Sequence, residues 1–145
     1  MNIEEVTSST IHSVYQFLDA QNEISSHFRY FHTRNPTDVI ENHILTIIGR
    51  EASTGKAMAY GHIDRQPQTN QNWLGICVYN SYQGKGFGSQ CMKYLLSHAD
   101  SHRLHLMLSV DIDNLHAFQM YRKFGFVEVS RTLHVVYMER TPKSV

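Results

Sequence analysis

Gln83-Gly84-Lys85-Gly86-Phe87-Gly88-Ser89 places three glycines at alternate positions, directly after an apolar run (73–79) and directly before a helical pattern (91–99). Glycine adopts positive φ without a Cβ clash and lets backbone approach a ligand closely. A glycine-rich turn that opens a helix leaves the first N–H groups unpaired, with the positive end of the helix dipole behind them. In physical terms that is a phosphate site.

Two familiar phosphate loops do not fit the spacing. A Walker A loop needs Gly-x4-Gly-Lys-Ser/Thr, but Gly84-Lys85 is followed by Gly86, and position 79 is Tyr. The dinucleotide fingerprint needs Gly-x-Gly-x-x-Gly, and Ser89 stands where its third glycine belongs. On these residues alone, a loop whose glycines serve only to turn the chain stays open.

The chain of 145 residues reads as one domain, 1–145, with enough length for a sizeable core. Apolar residues make up 41% and charged residues 18%, as in globular proteins. Thirteen Lys and Arg balance thirteen Asp and Glu, so bulk charge favours neither nucleic acid nor a membrane surface as partner. Nothing approaches the roughly 18 consecutive apolar residues of a membrane span. Met1-Asn2-Ile3-Glu4-Glu5 lacks the basic-then-apolar order of a secretory signal, so a cytoplasmic location is expected. Cys77 and Cys91 fall in a predicted strand and a predicted helix and are expected to be reduced and buried.

Working outward from the loop, residues 44–49 and 57–64 read as two strands around the turn Ser53-Thr54-Gly55-Lys56. A third strand covers 73–79, and a helix runs from about 88 to 102. Leu104, Leu106, Leu108 and Val110 alternate on one face of the next strand. Residues 114–124 predict another helix, and the β-rich tail 127–140 predicts a closing pair of strands. Upstream, Ile11, Val14, Tyr15 and Leu18 have helical spacing. Asp38 and Glu41 have capping-box spacing for a short helix after Asn35-Pro36. The fold class is therefore mixed α/β around one sheet, with a parallel crossover at its centre. Ligands bind such sheets at the carboxyl ends of strands that diverge, which is where the glycine loop falls.

Asn114-x-x-Ala117-x-x-x-Tyr121-x-x-x-Gly125-Phe126 follows the strand after the loop-helix. Together with Gln83-x-x-Gly86-x-Gly88, it resembles the GNAT superfamily of acyl-CoA-dependent N-acetyltransferases. The family's first motif is Gln/Arg-x-x-Gly-x-Gly/Ala and its second is the Asn-to-Phe run. The resemblance covers residues 57–138 well, and the first 56 residues match only in the order of elements. It implies a GNAT-like domain whose central mixed sheet carries a splayed parallel strand pair flanked by helices, with a bulge in the strand before the loop. It implies acetyl-CoA as cosubstrate. The pyrophosphate would rest on N–H groups of Gly84, Gly86, Phe87, Gly88 and Ser89, with Gln83 and Lys85 adding side-chain contacts. The pantetheine arm would pair with backbone of Ile76, Cys77 and Val78, one N–H there holding the oxyanion. Asn114 would bond the arm from the other side, with Ala117 and Tyr121 on the same wall.

An amine attacking a thioester must shed a proton, because a free alkyl ammonium has a pKa of about 10. The tetrahedral intermediate needs stabilisation, and the leaving sulfur must be held. Tyr121 matches the family's tyrosine and offers a phenol to the sulfur. Taken by spacing alone, it is equally a core aromatic beside Ala117 and Phe124. Many relatives carry a base Glu upstream of the bulge, but here that region reads Gln71-Asn72-Trp73-Leu74-Gly75, without a carboxylate. The neighbouring strand offers Tyr60, His62 and Asp64 on one face. His62 titrates near neutral pH when unperturbed, and Asp64 can accept a proton or steer a cationic substrate. Proton removal by a chain of waters, and a face with no chemical role, stay open. A covalent route through Cys77 lacks a partner base.

Phe28-Arg29-Tyr30-Phe31-His32-Thr33-Arg34 is dense in aromatic and cationic groups. The resemblance places this segment at the acceptor site, with Phe28, Arg29, Tyr30 and Arg34 as substrate-binding candidates. The two arginines can meet an anionic group, or the phenylalanines can simply pack helix onto sheet. Among ten histidines, His98 and His102 are spaced i, i+4, but position 99 is Ala rather than a zinc-protease Glu, and no metal is expected. The expected activity is direct acetyl transfer in a ternary complex to a primary amine of a small molecule, such as an amino sugar, an amino acid derivative or a polyamine. A protein N-terminus is the further acceptor, and a homodimer through the C-terminal strands is a further expectation. The rival is a non-catalytic CoA-binding sensor that keeps the cleft.

Overall fold

The structure, a computed structural model, describes residues 1–144. Its strands are β1 (Asn2–Glu5), β2 (His43–Arg50), β3 (Ala57–Gln66), β4 (Gln71–Val78), β5 (Leu106–Asp111), β6 (Val127–Arg131) and β7 (Val135–Arg140). Its helices are α1 (His12–Asp19), α2 (Pro36–Val39), α3 (Phe87–Ser101) and α4 (Leu115–Lys123). The strands form one mixed sheet in the order β1-β2-β3-β4-β5-β7-β6. None of the described helices is long and apolar enough to cross a membrane.

β3 is the strand around which the core assembles. Ala57 through Ile63 are all buried, as expected of a strand covered on both faces. Tyr60 meets Phe17 of α1, with ring centroids 5.8 Å apart. A Cβ on the adjacent Gly61 would instead stand 3.0 Å from Leu95 of α3. Successive strand residues point to opposite faces, so α1 and α3 cover opposite faces of the sheet. α3 buries Cys91, Met92, Leu95, Leu96 and Ala99, and α1 buries Val14 and Phe17. Both cysteines are free and buried.

Only the start of the parallel β4–β5 strand pair is hydrogen-bonded. β4 pairs with β5 at Asn72↔Leu106 and Trp73↔Met107 and then leaves it. Each strand keeps its antiparallel neighbour instead: β4 with β3 from Gln66↔Gln71 to Ala59↔Val78, and β5 with β7 from Leu106↔Arg140 to Asp111↔Val135. Two ladders twisting away from a shared origin open a gap between Gly75–Val78 and the end of β5. The expected bulge in the strand before the loop is absent from the β3–β4 ladder, which runs without a register shift. The splay needs no extra residue because β5 is held away by β7.

Three local features differ from expectation. β1 has no apolar alternation and forms because it adds to the edge of β2, with Asn2↔Arg50 through Glu5↔Ile47 in register. α2 is capped by Asn35, whose Oδ1 accepts the Thr37 N–H at 2.9 Å, rather than by an Asp38–Glu41 box. The strand expected from Leu104 starts at Leu106, because the Leu104 N–H closes the end of α3 by donating to the Ala99 carbonyl at 2.8 Å.

Candidate active site

A cleft of about 880 Å³ opens where β4 and β5 part. It runs from the 83–89 loop, past Ile76, Cys77 and Val78 and past Asn114, Ala117 and Tyr121, to His62, Asp64 and the 25–34 segment. Of the residues expected to act here, only Lys85 lies outside the lining: it is exposed, with Nζ 5.6 Å from the centroid of the Tyr82 ring.

At the loop end the backbone supplies the chemistry. Gly84 and Gly86 have φ of 76° and 84°, values that strain any residue with a Cβ. No atom lies within 4 Å of where either Cβ would stand, so backbone conformation and not crowding demands glycine. Gly86 is the N-cap of α3, and the first helical amide with a partner is that of Gln90, which donates to the Gly86 carbonyl at 3.1 Å. The N–H groups of Phe87, Gly88 and Ser89 precede it at the positive end of the helix. The Gln83 amide donates to the Val78 carbonyl at 3.3 Å, tying the loop to the end of β4.

Mid-cleft, Tyr121 is buried and packs edge-on against Phe126 at 6.0 Å. Burial, and then the nearby Cys77 thiol, push its phenol pKa up, and no hydrogen bond contributes. It therefore stays a neutral donor. Burial also pushes the Cys77 thiol up to about 12, so it stays protonated at neutral pH.

At the other end, β3 presents Tyr60, His62 and Asp64 on one face, as their alternation predicts. Tyr60 Oη lies 2.7 Å from His62 Nδ1. The His62 ring is buried, and desolvation holds its pKa well below the usual range, so it is neutral. Its cross-strand partner is Gly75. Asp64 is half-buried, and desolvation raises its carboxyl pKa against the opposing pull of Tyr30 and Arg34. Tyr30 donates to Asp64 Oδ2 at 2.7 Å and lies 2.8 Å from His43 Nε2. His43 Nδ1 in turn lies 2.7 Å from Thr46 Oγ1. Desolvation pushes the His43 pKa down to about 4.

The 25–34 segment is pinned from both sides. Arg29 grips Asp111 with two hydrogen bonds of 2.6 and 2.7 Å, and His27 Nδ1 approaches the same carboxylate at 2.7 Å. The Arg29 hydrogen bonds hold the Asp111 pKa down at about 2. Arg34 donates to the Tyr30 carbonyl at 3.0 Å and stacks 4.4 Å from the Tyr30 centroid. Phe28 and Phe31 pack edge-on against Tyr60 at 5.6 and 5.4 Å. His27, Asp111 and Asp113 form a cluster of metal-ligand types among the described residues, but Arg29 already holds both Asp111 oxygens. His98 and His102 stack on each other at 4.1 Å, away from the cleft lining.

Sequence reasoning missed His43, Thr46, His27 and Asp111. Asp111 was signalled by its place at the carboxyl end of a predicted strand. His43 and Thr46 had no signal, because they reach the site only through the register His43↔Asp64 and Thr46↔His62.

Comparison with known proteins decides what this cleft belongs to. The model of the acetyltransferase (GNAT) family matches residues 11–126. The chain belongs to the GNAT acetyltransferase family. It is 29% identical over 137 residues to a spermine/spermidine N(1)-acetyltransferase of Bacillus subtilis (strain 168), covering 87% of each chain. The GNAT fold is shared with the ribosomal-protein-S18-alanine N-acetyltransferase of Escherichia coli, at a TM-score of 0.74 and 16% identity over 99% of this chain and 95% of that one. It is also shared with a phosphinothricin acetyltransferase of Sinorhizobium meliloti, solved with acetyl-CoA bound, at a TM-score of 0.75 and 11% identity over 97% and 88%. As a GNAT acetyltransferase, the chain is an acyl-CoA N-acyltransferase.

Proposed function

We propose that this enzyme moves an acetyl group from acetyl-CoA to a primary amine of a small molecule, by direct attack in a ternary complex. The observation that carries this is the continuity of the cleft: one cavity joins the 83–89 loop, the parted edge of β4, Tyr121 and the Asp64 corner. The residues present fit coenzyme A. The free N–H groups of the loop suit its pyrophosphate, and the unpaired edge of β4 beyond Trp73 suits its amide-bearing arm.

Acetyl-CoA supplies an electrophilic thioester carbonyl. An N–H of β4 within 76–78 stabilises the developing oxyanion. Asn114 fixes the arm across the gap, and Tyr121 offers its hydroxyl hydrogen to the departing sulfur. The amine nitrogen forms the new C–N bond as the C–S bond breaks and its electron pair leaves with sulfur. The ammonium loses two protons overall, of which the thiol keeps one and solvent receives the other. His62 and Asp64 are the candidates at the acceptor end for the first proton, and burial weighs against His62.

Polyamines are the acceptor class best supported. The similar Bacillus protein is named for spermine and spermidine. At the acceptor corner Arg29 is neutralised by Asp111, and Asp64 forms no ion pair within 4 Å among the described residues, with the Arg34 guanidinium acting on it from farther off. Release of CoA thiol should be followed across spermine, spermidine, an amino sugar, an amino acid and a peptide N-terminus. Turnover highest with polyamines is the expected result. Tight CoA binding without turnover on the whole panel would identify a CoA-binding module instead.

A further inference from the structure

We propose that Thr46, His43 and Tyr30 form a one-way hydrogen-bond chain that ends on Asp64 Oδ2, and that this chain leaves Asp64 Oδ1, and not His62, to take the proton of the acceptor amine. The inference rests on the acetyltransferase function proposed above.

The direction of the chain follows from counting hydrogens. An ionised carboxylate only accepts, so Tyr30 spends its single hydroxyl hydrogen on Asp64 Oδ2. The contact between Tyr30 Oη and His43 Nε2 must then carry the hydrogen of His43. A neutral imidazole has one N–H, so His43 Nδ1 is bare and accepts from the Thr46 hydroxyl. Every donor is committed, and the three bonds of 2.7, 2.8 and 2.7 Å all point toward Asp64. Thr46 is buried, and the register shift between His43 and Leu45 re-aims β2 at this point. The chain thus spans β2, the 28–34 segment and β3, and holds one carboxylate oxygen still. Asp64 Oδ1 takes no hydrogen bond from the described residues and belongs to a side chain that lines the cleft.

His62 is differently placed. Its Nδ1 is engaged by Tyr60, and its ring is wedged between Tyr30 at 4.2 Å and His43 at 4.8 Å, with Gly75 on the neighbouring strand. A cation there would be buried without a counter-ion. The groups facing Asp64 are Tyr30 and Arg34 from the 28–34 segment, His43 from β2, His62 on its own strand and the uncharged Trp73 of β4. Desolvation raises the Asp64 pKa on balance, and Tyr30 and Arg34 pull it the other way. Asp64 Oδ1 accepts the proton that the ammonium sheds before attack and passes it to solvent, and the second proton leaves with the thiol. Tyr30, His43 and Thr46 are positioning residues.

The test is the pH profile of kcat/KM for spermidine acetylation by the native enzyme, Tyr30→Phe, His43→Phe, His43→Gln, Asp64→Asn and His62→Gln. Asp64→Asn should lower kcat by about 10²-fold or more. Tyr30→Phe removes a hydrogen bond to the charged form, so the acidic limb should move to higher pH and kcat fall by about tenfold, with KM for acetyl-CoA unchanged. His43→Gln keeps a donor for Tyr30, and its limb should stay closer to native than that of His43→Phe. An acidic limb unmoved in Tyr30→Phe, or one that disappears in His62→Gln while Asp64→Asn stays active, overturns the proposal alone. No turnover of native enzyme with any amine overturns the acetyltransferase function and with it the role of Asp64. The chain itself is then read by ¹⁵N NMR: a neutral His43 with hydrogen on Nε2 supports it, and hydrogen on Nδ1 overturns it.

Discussion

The imidazole of His62 occupies the space that a side chain at Gly75 would need: a Cβ there would stand 2.6 Å from both Cε1 and Nε2 of the ring. The two residues are directly opposed in the β3–β4 ladder. β4 is thus bare at Gly75, and the neighbouring strand fills the gap with a ring.

Gly75→Ala should therefore move His62 and disturb Tyr60 and Tyr30, which touch the ring. Overpacking of this kind costs about 1–3 kcal/mol. Urea unfolding should show that loss, together with a lower kcat. A variant as stable and as active as the native chain would mean that the ring has room to move.

Gly86→Ala tests the loop as a backbone device. With φ at 84° and open space around the missing Cβ, the expected penalty is conformational, about 1–2 kcal/mol. It should appear as roughly a tenfold weaker CoA affinity in titration calorimetry, with kcat at saturating acetyl-CoA changed far less. Weakening of the amine KM alone would place the phosphate elsewhere.

Tyr121→Phe separates chemistry from packing. Because no hydrogen bond from the described residues holds the Tyr121 hydroxyl, its removal should leave stability within about 0.5 kcal/mol of native. The same change should lower kcat by about 10²-fold if the phenol serves the leaving sulfur. A large stability loss with normal kcat would make Tyr121 a core residue.

Asp111 links acid stability to the placement of the 25–34 segment. Its pKa is held down at about 2 from an ordinary 3.8, chiefly by Arg29. A carboxyl whose folded pKa is depressed stabilises above its unfolded pKa, so this contribution is complete above about pH 4 and lost as pH falls to about 2. Arg29 is 51% exposed, so solvent screening reduces the contribution to about 1 kcal/mol. Urea midpoints of native and Asp111→Asn chains should differ at pH 6 and converge toward pH 2. Parallel curves would show that the pair contributes nothing to folding.

The glycine spacing, the Asn114–Tyr121–Phe126 pattern and the alternation of Tyr60, His62 and Asp64 are local properties: each depends on backbone preference or helical and strand period within one segment. With the periods of the remaining segments they gave the mixed fold, and the two motifs together marked the family. The far end of the cleft is assembled differently. Tyr30 and Asp64 are 34 positions apart yet within hydrogen-bond distance. Arg29 and Asp111 are 82 apart. Their meeting depends on strand register, on the shift between His43 and Leu45, and on where β4 leaves β5. Register is a property of two strands at once, and desolvation of a carboxylate or imidazole is a property of everything packed around it. The sequence by itself determined a glycine turn that opens a helix and the two motifs that mark the family, because a loop conformation is written in its own residues. Only the tertiary structure decided which side chains meet Asp64 and His62, because that depends on partners no single segment contains.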